Sequence, residues 1–283
     1  MKLLITGAQG MLGTALQKQC LLQKISYVGL GRQDCDITRL EDLSAAIEKH
    51  KPTHIINAAA YTKVDLAEKE QALTFLVNTL GAKNIAMICS KKSISLLQVS
   101  TDYVFDGQST EPYSEVSPTS PLSIYGKSKA QGEIEVLKLC PTAKIVRLQA
   151  LYGENGSHFV QTMLNLTERY SEIEVVTDQH TSPSYTQHIA RALIELLEHP
   201  ENGIFHLHNQ GICSWYEFAK EIFKLAKNPT QVLPVTSEHF PRPAPRPLNA
   251  HLSMIRWQEL GLTPLPHWTQ ALKIYLATQK QAH

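Results

Sequence analysis

The chain has 283 residues, 43% of them hydrophobic, and a formal net charge of +1. That supports one large domain or two modest ones with a sizeable core, and gives no electrostatic basis for binding nucleic acid or an anionic membrane. Five scattered cysteines without a Cys-x-x-Cys spacing read as a reduced cytoplasmic protein, and exclude a disulfide framework or a zinc site.

Leu3-Leu4-Ile5 is a short apolar run ended by Gly7. It reads as a buried parallel strand, and is far too short for a signal peptide or a membrane span. Gly7-Ala8-Gln9-Gly10-Met11-Leu12-Gly13 follows, then a helical stretch over Thr14–Gln23. Strand, glycine turn and helix form the context of a nucleotide fingerprint. Glycines let the backbone approach a pyrophosphate, and the helix N-terminus offers N–H groups. The spacing is G-x-x-G-x-x-G, and a glycine turn without a ligand is the alternative.

Ile25–Leu30 reads as the second strand, followed by Gly31-Arg32. A carboxylate at this point holds the ribose 2′-hydroxyl of NAD, whereas the Arg32 guanidinium suits the 2′-phosphate of NADP. NADP(H) is therefore favoured, with NAD(H) kept open by Asp34 and Asp36. Asp36, ahead of Ile37 and Thr38, either accepts from an adenine amino group or caps a helix.

His54–Ala60 reads as the fourth strand, with small residues at Ala58, Ala59 and Ala60 against which a flat cofactor can lie. A helix runs on through Ala86, carrying Asn78. Leu96–Val99 is the next strand, and delivers Thr101 and Asp102 to its mouth. Polar groups there are costly unless paired or used. Pro112–Pro121 is a loop. Tyr125 and Lys129 open the next helix, four residues apart and so on one face. An ammonium beside a phenol lowers its pKa and makes a proton donor usable near neutrality. The alternative is a plain surface Tyr and Lys. Ile145–Leu148 reads as a sixth strand. The alternation predicts an α/β fold with a doubly wound parallel sheet.

Residues 1–150 then form a dinucleotide-binding Rossmann domain, and 151–283 a smaller C-terminal substrate lobe whose segments interleave with the sheet. In the lobe, Phe159–Tyr170, Thr186–Glu198, Ser214–Ala226 and Trp268–Gln279 read as helices. Glu174–Val176 and Gly203–Leu207 read as strands. Pro229–Pro247, with six prolines, reads as an extended surface loop. No metal site is expected from the twelve histidines.

Taken together, the chain resembles the extended short-chain dehydrogenase/reductases. More narrowly, it resembles the dTDP-4-dehydrorhamnose reductase family. The resemblance rests on Asn57–Asp65, Thr101-Asp102-Tyr103-Val104-Phe105-Asp106-Gly107, Tyr125–Lys129, Leu151–Glu154, Ser214–Ala219 and Arg246–Asn249. It implies reduction of the C4 ketone of a dTDP-linked 6-deoxy-4-keto sugar, with Tyr125 as proton donor. Lys129 would tune Tyr125 and bind the nicotinamide ribose, and Thr101 would bind the sugar oxygen. Asp102 and Tyr103 would contact the sugar, and Arg246 (with Arg242 a weaker candidate) the diphosphate. Cofactor contacts would come from Gly7, Gly10, Met11, Leu12, Gly13, Arg32, Asp36, Ile37, Ala59, Ala60 and Tyr61, together with Tyr125 and Lys129. Related dehydratases need a carboxylate where Tyr103 stands, so dehydration is rejected. A catalytically idle regulatory subunit, also known in this family, is the rival reading.

Two departures stand out. No carboxylate follows Gly13 at Thr14-Ala15-Leu16, so a metal-bridged dimer is not expected. Ala150 stands where the family places a tryptophan against the sugar, and Thr181 where a glycine is usual. An altered 4-keto sugar is expected, unless Tyr152, His158 or Phe159 fills the gap.

Overall fold

The computed structural model describes residues 1–281. Six parallel strands form the central sheet: β1 (Lys2–Thr6), β2 (Ser26–Leu30), β3 (His54–Asn57), β4 (Ser95–Thr101), β5 (Lys144–Leu148) and β6 (Gly203–Leu207). Their order is β6-β5-β4-β3-β1-β2. The strand expected as the fourth is thus the third, and Lys144–Leu148 is the fifth. The chain enters at β1, moves outward to β2, then returns to β3 on the other side of β1. That reversal opens a crevice at the carboxyl ends of β1 and β3, the usual ligand position in such sheets.

Strand periodicity explains why both faces are covered. Leu3 and Ile5 face one side and join Ile56, Leu97 and Val146. Helices Met11–Leu22 and Thr186–Glu198 cover them with Leu12, Leu16, Ile189 and Leu193. Leu4 faces the other side with Ile55, Leu96 and Ile145. Leu43, Ile47, Ile85, Ile88 and Val136 close that side from three further helices. Strand β6 and helix Thr186–Glu198 both come from beyond residue 150, yet they complete the sheet and its cover.

A separate core belongs to the second half. Tyr152, Val160, Phe218, Ile222, Trp268 and Tyr275 pack there, under helices Phe159–Leu166, Trp215–Ala226 and Trp268–Gln281. Ser214 caps the second of these in a reciprocal capping box with Glu217. The extended loop expected over Pro229–Pro247 needs a correction. Gln231–Val235 is a strand paired in parallel with Glu172–Val176. Pro234 is tolerated because the sheet has two strands, leaving Pro234 a free outer edge.

Gln71–Lys92 is continuous helix, long and apolar enough by composition to cross a membrane. Half of its most apolar window is buried inside the fold, as in a core helix. Its middle turn, Leu76–Gly81, is a π-helix. Such one-turn distortions often serve a site, and this one holds Asn78.

Candidate active site

The crevice at the switch point is a cleft of about 760 Å³. Gly7 follows β1 with φ +65°, and a Cβ there would lie 2.7 Å from the Ala59 nitrogen. At Gly13 a Cβ would collide with the Gly7 carbonyl and the Ala8 backbone. These positions need glycine because β1, β3 and helix Met11–Leu22 come together there. Gly10 caps the helix without a side-chain hydrogen bond, and no acidic residue stands in the first turn. Its N–H groups are therefore open to an anion, which is the fit a dinucleotide pyrophosphate requires.

Of the residues expected at the cofactor, Gly7, Gly10, Met11, Leu12, Gly13, Arg32, Asp36, Ile37, Ala59, Ala60 and Tyr61 all line the cleft. Arg32 is largely exposed at its rim, with its Nε 4.0 Å from Asp36. One oxygen of Asp36 accepts from the Thr38 nitrogen (2.9 Å) and hydroxyl (2.8 Å). Asp36 thus acts as a turn cap, and its other oxygen faces Arg32. Replacing Arg32 with Ala is expected to weaken NADPH binding by more than it weakens NADH binding, checked by paired titrations. Equal weakening of both would remove the argument for a 2′-phosphate site.

Thr101, Asp102, Tyr103, Tyr125, Lys129 and Ala150 line the same cleft. Thr101 ends β4. Tyr125 and Lys129 lie on helix Ile124–Leu139, capped by Ser123 through the Gly126 nitrogen. Gly126 lets that helix press against the Tyr103 carbonyl, where a Cβ would clash. Tyr103 and Tyr125 meet edge to face, with centroids 5.5 Å apart. Asn78 braces the floor. It accepts from the Tyr61 nitrogen (2.7 Å) and donates to the Ser128 hydroxyl (2.9 Å), which donates to the Tyr125 carbonyl (2.7 Å).

The electrostatics differ from the sequence expectation. Burial pushes the Tyr125 phenol well above its usual range; the Thr101 side chain pulls it back in part, while Asp102 raises it further. The Lys129 ammonium donates to the Val99 carbonyl at 2.7 Å. Burial pulls Lys129 down to about 8, against an upward pull from Glu133. Burial also raises Asp102 to about 6.

Arg246 stands at the edge of the cleft, in hydrogen-bond contact with Tyr103. Asp65 holds its guanidinium at 2.6 and 2.9 Å and also accepts from the Ala244 nitrogen, which fastens the 244–253 strap to the helix at Val64–Ala67. The residues expected to fill the gap at Ala150 make their contacts in the second core. Tyr152 packs with Tyr185 and Tyr275, His158 bonds to the Tyr275 hydroxyl at 3.2 Å, and Phe159 packs with Trp215. Ala150 itself has φ +39°, a left-handed turn rare for a residue with a Cβ.

Several buried polar residues behind the cleft escaped the sequence reading. Asn57 accepts from Thr6 (2.6 Å) and donates to Gln98 (2.7 Å), linking the ends of β1 and β3 to the middle of β4. Glu133 and Arg147 form a buried fork at 2.7 to 3.3 Å. Ser100 donates to Glu133 at 2.5 Å, and Arg147 reaches His206 at 3.4 Å. Burial, with Arg147 beside it, drops His206 to about 3. Arg147 interrupting an apolar strand was the available signal. Among the described residues, no group of three His, Cys, Asp or Glu side chains is placed to hold a metal ion.

A mostly parallel, doubly wound sheet with a glycine turn at its switch point defines a Rossmann-like nucleotide-binding protein. The model of the RmlD substrate binding domain matches residues 1–281. The chain is 39% identical to the spore coat polysaccharide biosynthesis protein SpsK of Bacillus subtilis, over 99% of each chain. It is also similar to the structure of a dTDP-4-dehydrorhamnose reductase from Clostridium acetobutylicum (TM-score 0.96, 39% identity, 99% of this chain and 100% of that one). The reductase of Bacillus anthracis, solved in complex with NADP, superposes with a TM-score of 0.95 at 37% identity, over 98% of this chain and 99% of that one. This chain belongs to the RmlD family, that of the dTDP-4-dehydrorhamnose reductases.

Proposed function

We propose that this protein is an NADP(H)-dependent oxidoreductase that reduces the C4 keto group of a dTDP-linked 6-deoxy-4-keto sugar, dTDP-4-dehydro-L-rhamnose or a close relative, in the cytoplasm. The observation that carries this reading is the convergence of Thr101, Tyr125 and Lys129 in the same cleft as the glycine turn. The bound dinucleotide supplies the hydride. Tyr125 holds the proton for the sugar oxygen. Its raised pKa keeps the phenol protonated across neutral pH, which suits an acid in the reductive direction. Thr101 offers a hydroxyl to the same oxygen. Lys129 is positive below about pH 8 and favours the phenolate that proton donation leaves behind. Donors aimed at developing charge are each worth about 3 kcal/mol of barrier.

In this reading Arg246 secures the strap at the cleft's edge, and Ala150 leaves open space at the sugar end. A different epimer or a differently substituted dTDP sugar therefore fits beside the rhamnose precursor. The test is NADPH oxidation with dTDP-4-dehydro-L-rhamnose and its 4-keto epimers. Turnover of at least one is expected. Tight NADPH binding with no turnover of any would favour the idle regulatory subunit instead.

A further inference from the structure

Gln149 follows β5 and is buried, yet it lines the sugar end of the cleft. Its Nε2 donates to the Ala250 carbonyl at 2.6 Å and to Asp102 Oδ2 at 3.4 Å. The Ala250 contact fixes which end of the amide is the donor, because a flipped amide would set two oxygens against each other. The other Asp102 oxygen, Oδ1, accepts the Thr101 hydroxyl at 2.9 Å. A run of contacts therefore leads from the strap at Ala250, through Gln149 and Asp102, to Thr101. A hydroxyl has one proton to give. While Thr101 gives it to Asp102, Thr101 meets any other group only as an acceptor.

Building on the reductase reading above, we propose that Gln149 is a positioning residue that acts through Asp102 to set whether the Thr101 proton points at Asp102 or at the reacting sugar oxygen. An amide N–H on a carboxylate favours its ionised form. Ionised Asp102 keeps the Thr101 proton. Protonated Asp102 can donate to Thr101 Oγ1 instead, which frees the Thr101 hydrogen to turn into the cleft. Gln149 Oε1 is buried with no donor, so the same amide also carries an open acceptor beside Asp102. The titratable groups facing Asp102 are Tyr125, from helix Ile124–Leu139, and Tyr103, from its own turn. Neither is ionised near neutral pH, and Lys129 is turned to Val99. Burial raises Asp102 to about 6, which brings its titration toward neutral pH.

The sign follows. Loss of the Gln149 donor removes support for the carboxylate, so the Asp102 midpoint moves up. The experiment is an infrared titration of the buried carboxylic acid band in NADP-loaded protein, with Asp102→Asn to assign it. In Gln149→Met, which keeps length but removes both polar atoms, an upward shift of about one pH unit is expected. Gln149→Glu, isosteric, serves if the first variant folds poorly; its carboxyl beside Asp102 should move the midpoint further in the same direction. The alkaline limb of the kcat profile should shift with the midpoint, at unchanged KM for NADPH. An unmoved midpoint, or a moved midpoint with a fixed limb, would overturn the proposal. The infrared midpoint needs no turnover, so an inactive parent would count against the reductase reading and not against Gln149.

Discussion

Tyr125→Phe is expected to lower kcat by about 10²–10⁴-fold and to leave NADPH affinity within a few-fold. The phenol is the proton source in the account above, and the ring that remains keeps its packing against Tyr103. A group that acts mainly in the transition state shows its loss in kcat rather than in binding. Parallel measurement of kcat and of NADPH affinity by fluorescence titration separates the two. If the variant kept most of its kcat, another acid would have to protonate the sugar oxygen. Neighbouring Asp102 would be the first to examine, since burial already holds part of it protonated near neutral pH.

Arg147→Met is expected to destabilise the fold by about 3–5 kcal/mol. Both charges of the pair are almost fully out of water. Removing the guanidinium leaves Glu133 buried with only Ser100 to bond it, and removes the cation lying 4.9 Å from the Phe105 ring. The double change Glu133→Leu with Arg147→Met should recover most of the loss, because an apolar pair has no charge to desolvate. Urea denaturation of the parent, the two single variants and the double would give the coupling directly. A loss in the single variant below about 1 kcal/mol, the level of an exposed ion pair, would mean that water reaches Glu133.

What the sequence disclosed was local. The glycine turn could be read because its spacing lies within seven residues, Gly7 to Gly13, although Gly7 also answers to the approach of Ala59. Tyr125 and Lys129 were legible because one helical turn joins them. The partners that fix their state lie farther away in the chain: Lys129 donates to the Val99 carbonyl, and Thr101 acts on Tyr125, both from β4. No periodicity encodes such pairs. The expected lowering of the Tyr125 pKa left out its burial for the same reason. Spacing placed the two on one helix face, but the ammonium turns to a strand carbonyl that the motif does not mention. Pro234 hid a strand, because its penalty depends on whether a partner needs its missing N–H. Gly203–Leu207 read as a strand from its own residues, but its place at the sheet edge beside β5 depends on the course of the whole chain. The left-handed turn at Ala150 had no signal at all, since alanine is not a residue that announces it.

The central claim is hydride transfer from the dinucleotide in this cleft to C4 of a dTDP-linked sugar, with Tyr125 completing the reduction. The most direct measurement uses NADPH carrying deuterium at the transferable nicotinamide position, with dTDP-4-dehydro-L-rhamnose and its 4-keto epimers as substrates. The product is then read by NMR. The account predicts one deuterium at C4 of the sugar product, one NADP⁺ formed per sugar reduced, and no such product from Tyr125→Phe over the same time. Label at any other carbon, or a sugar recovered unchanged beside tightly bound NADPH, would contradict it.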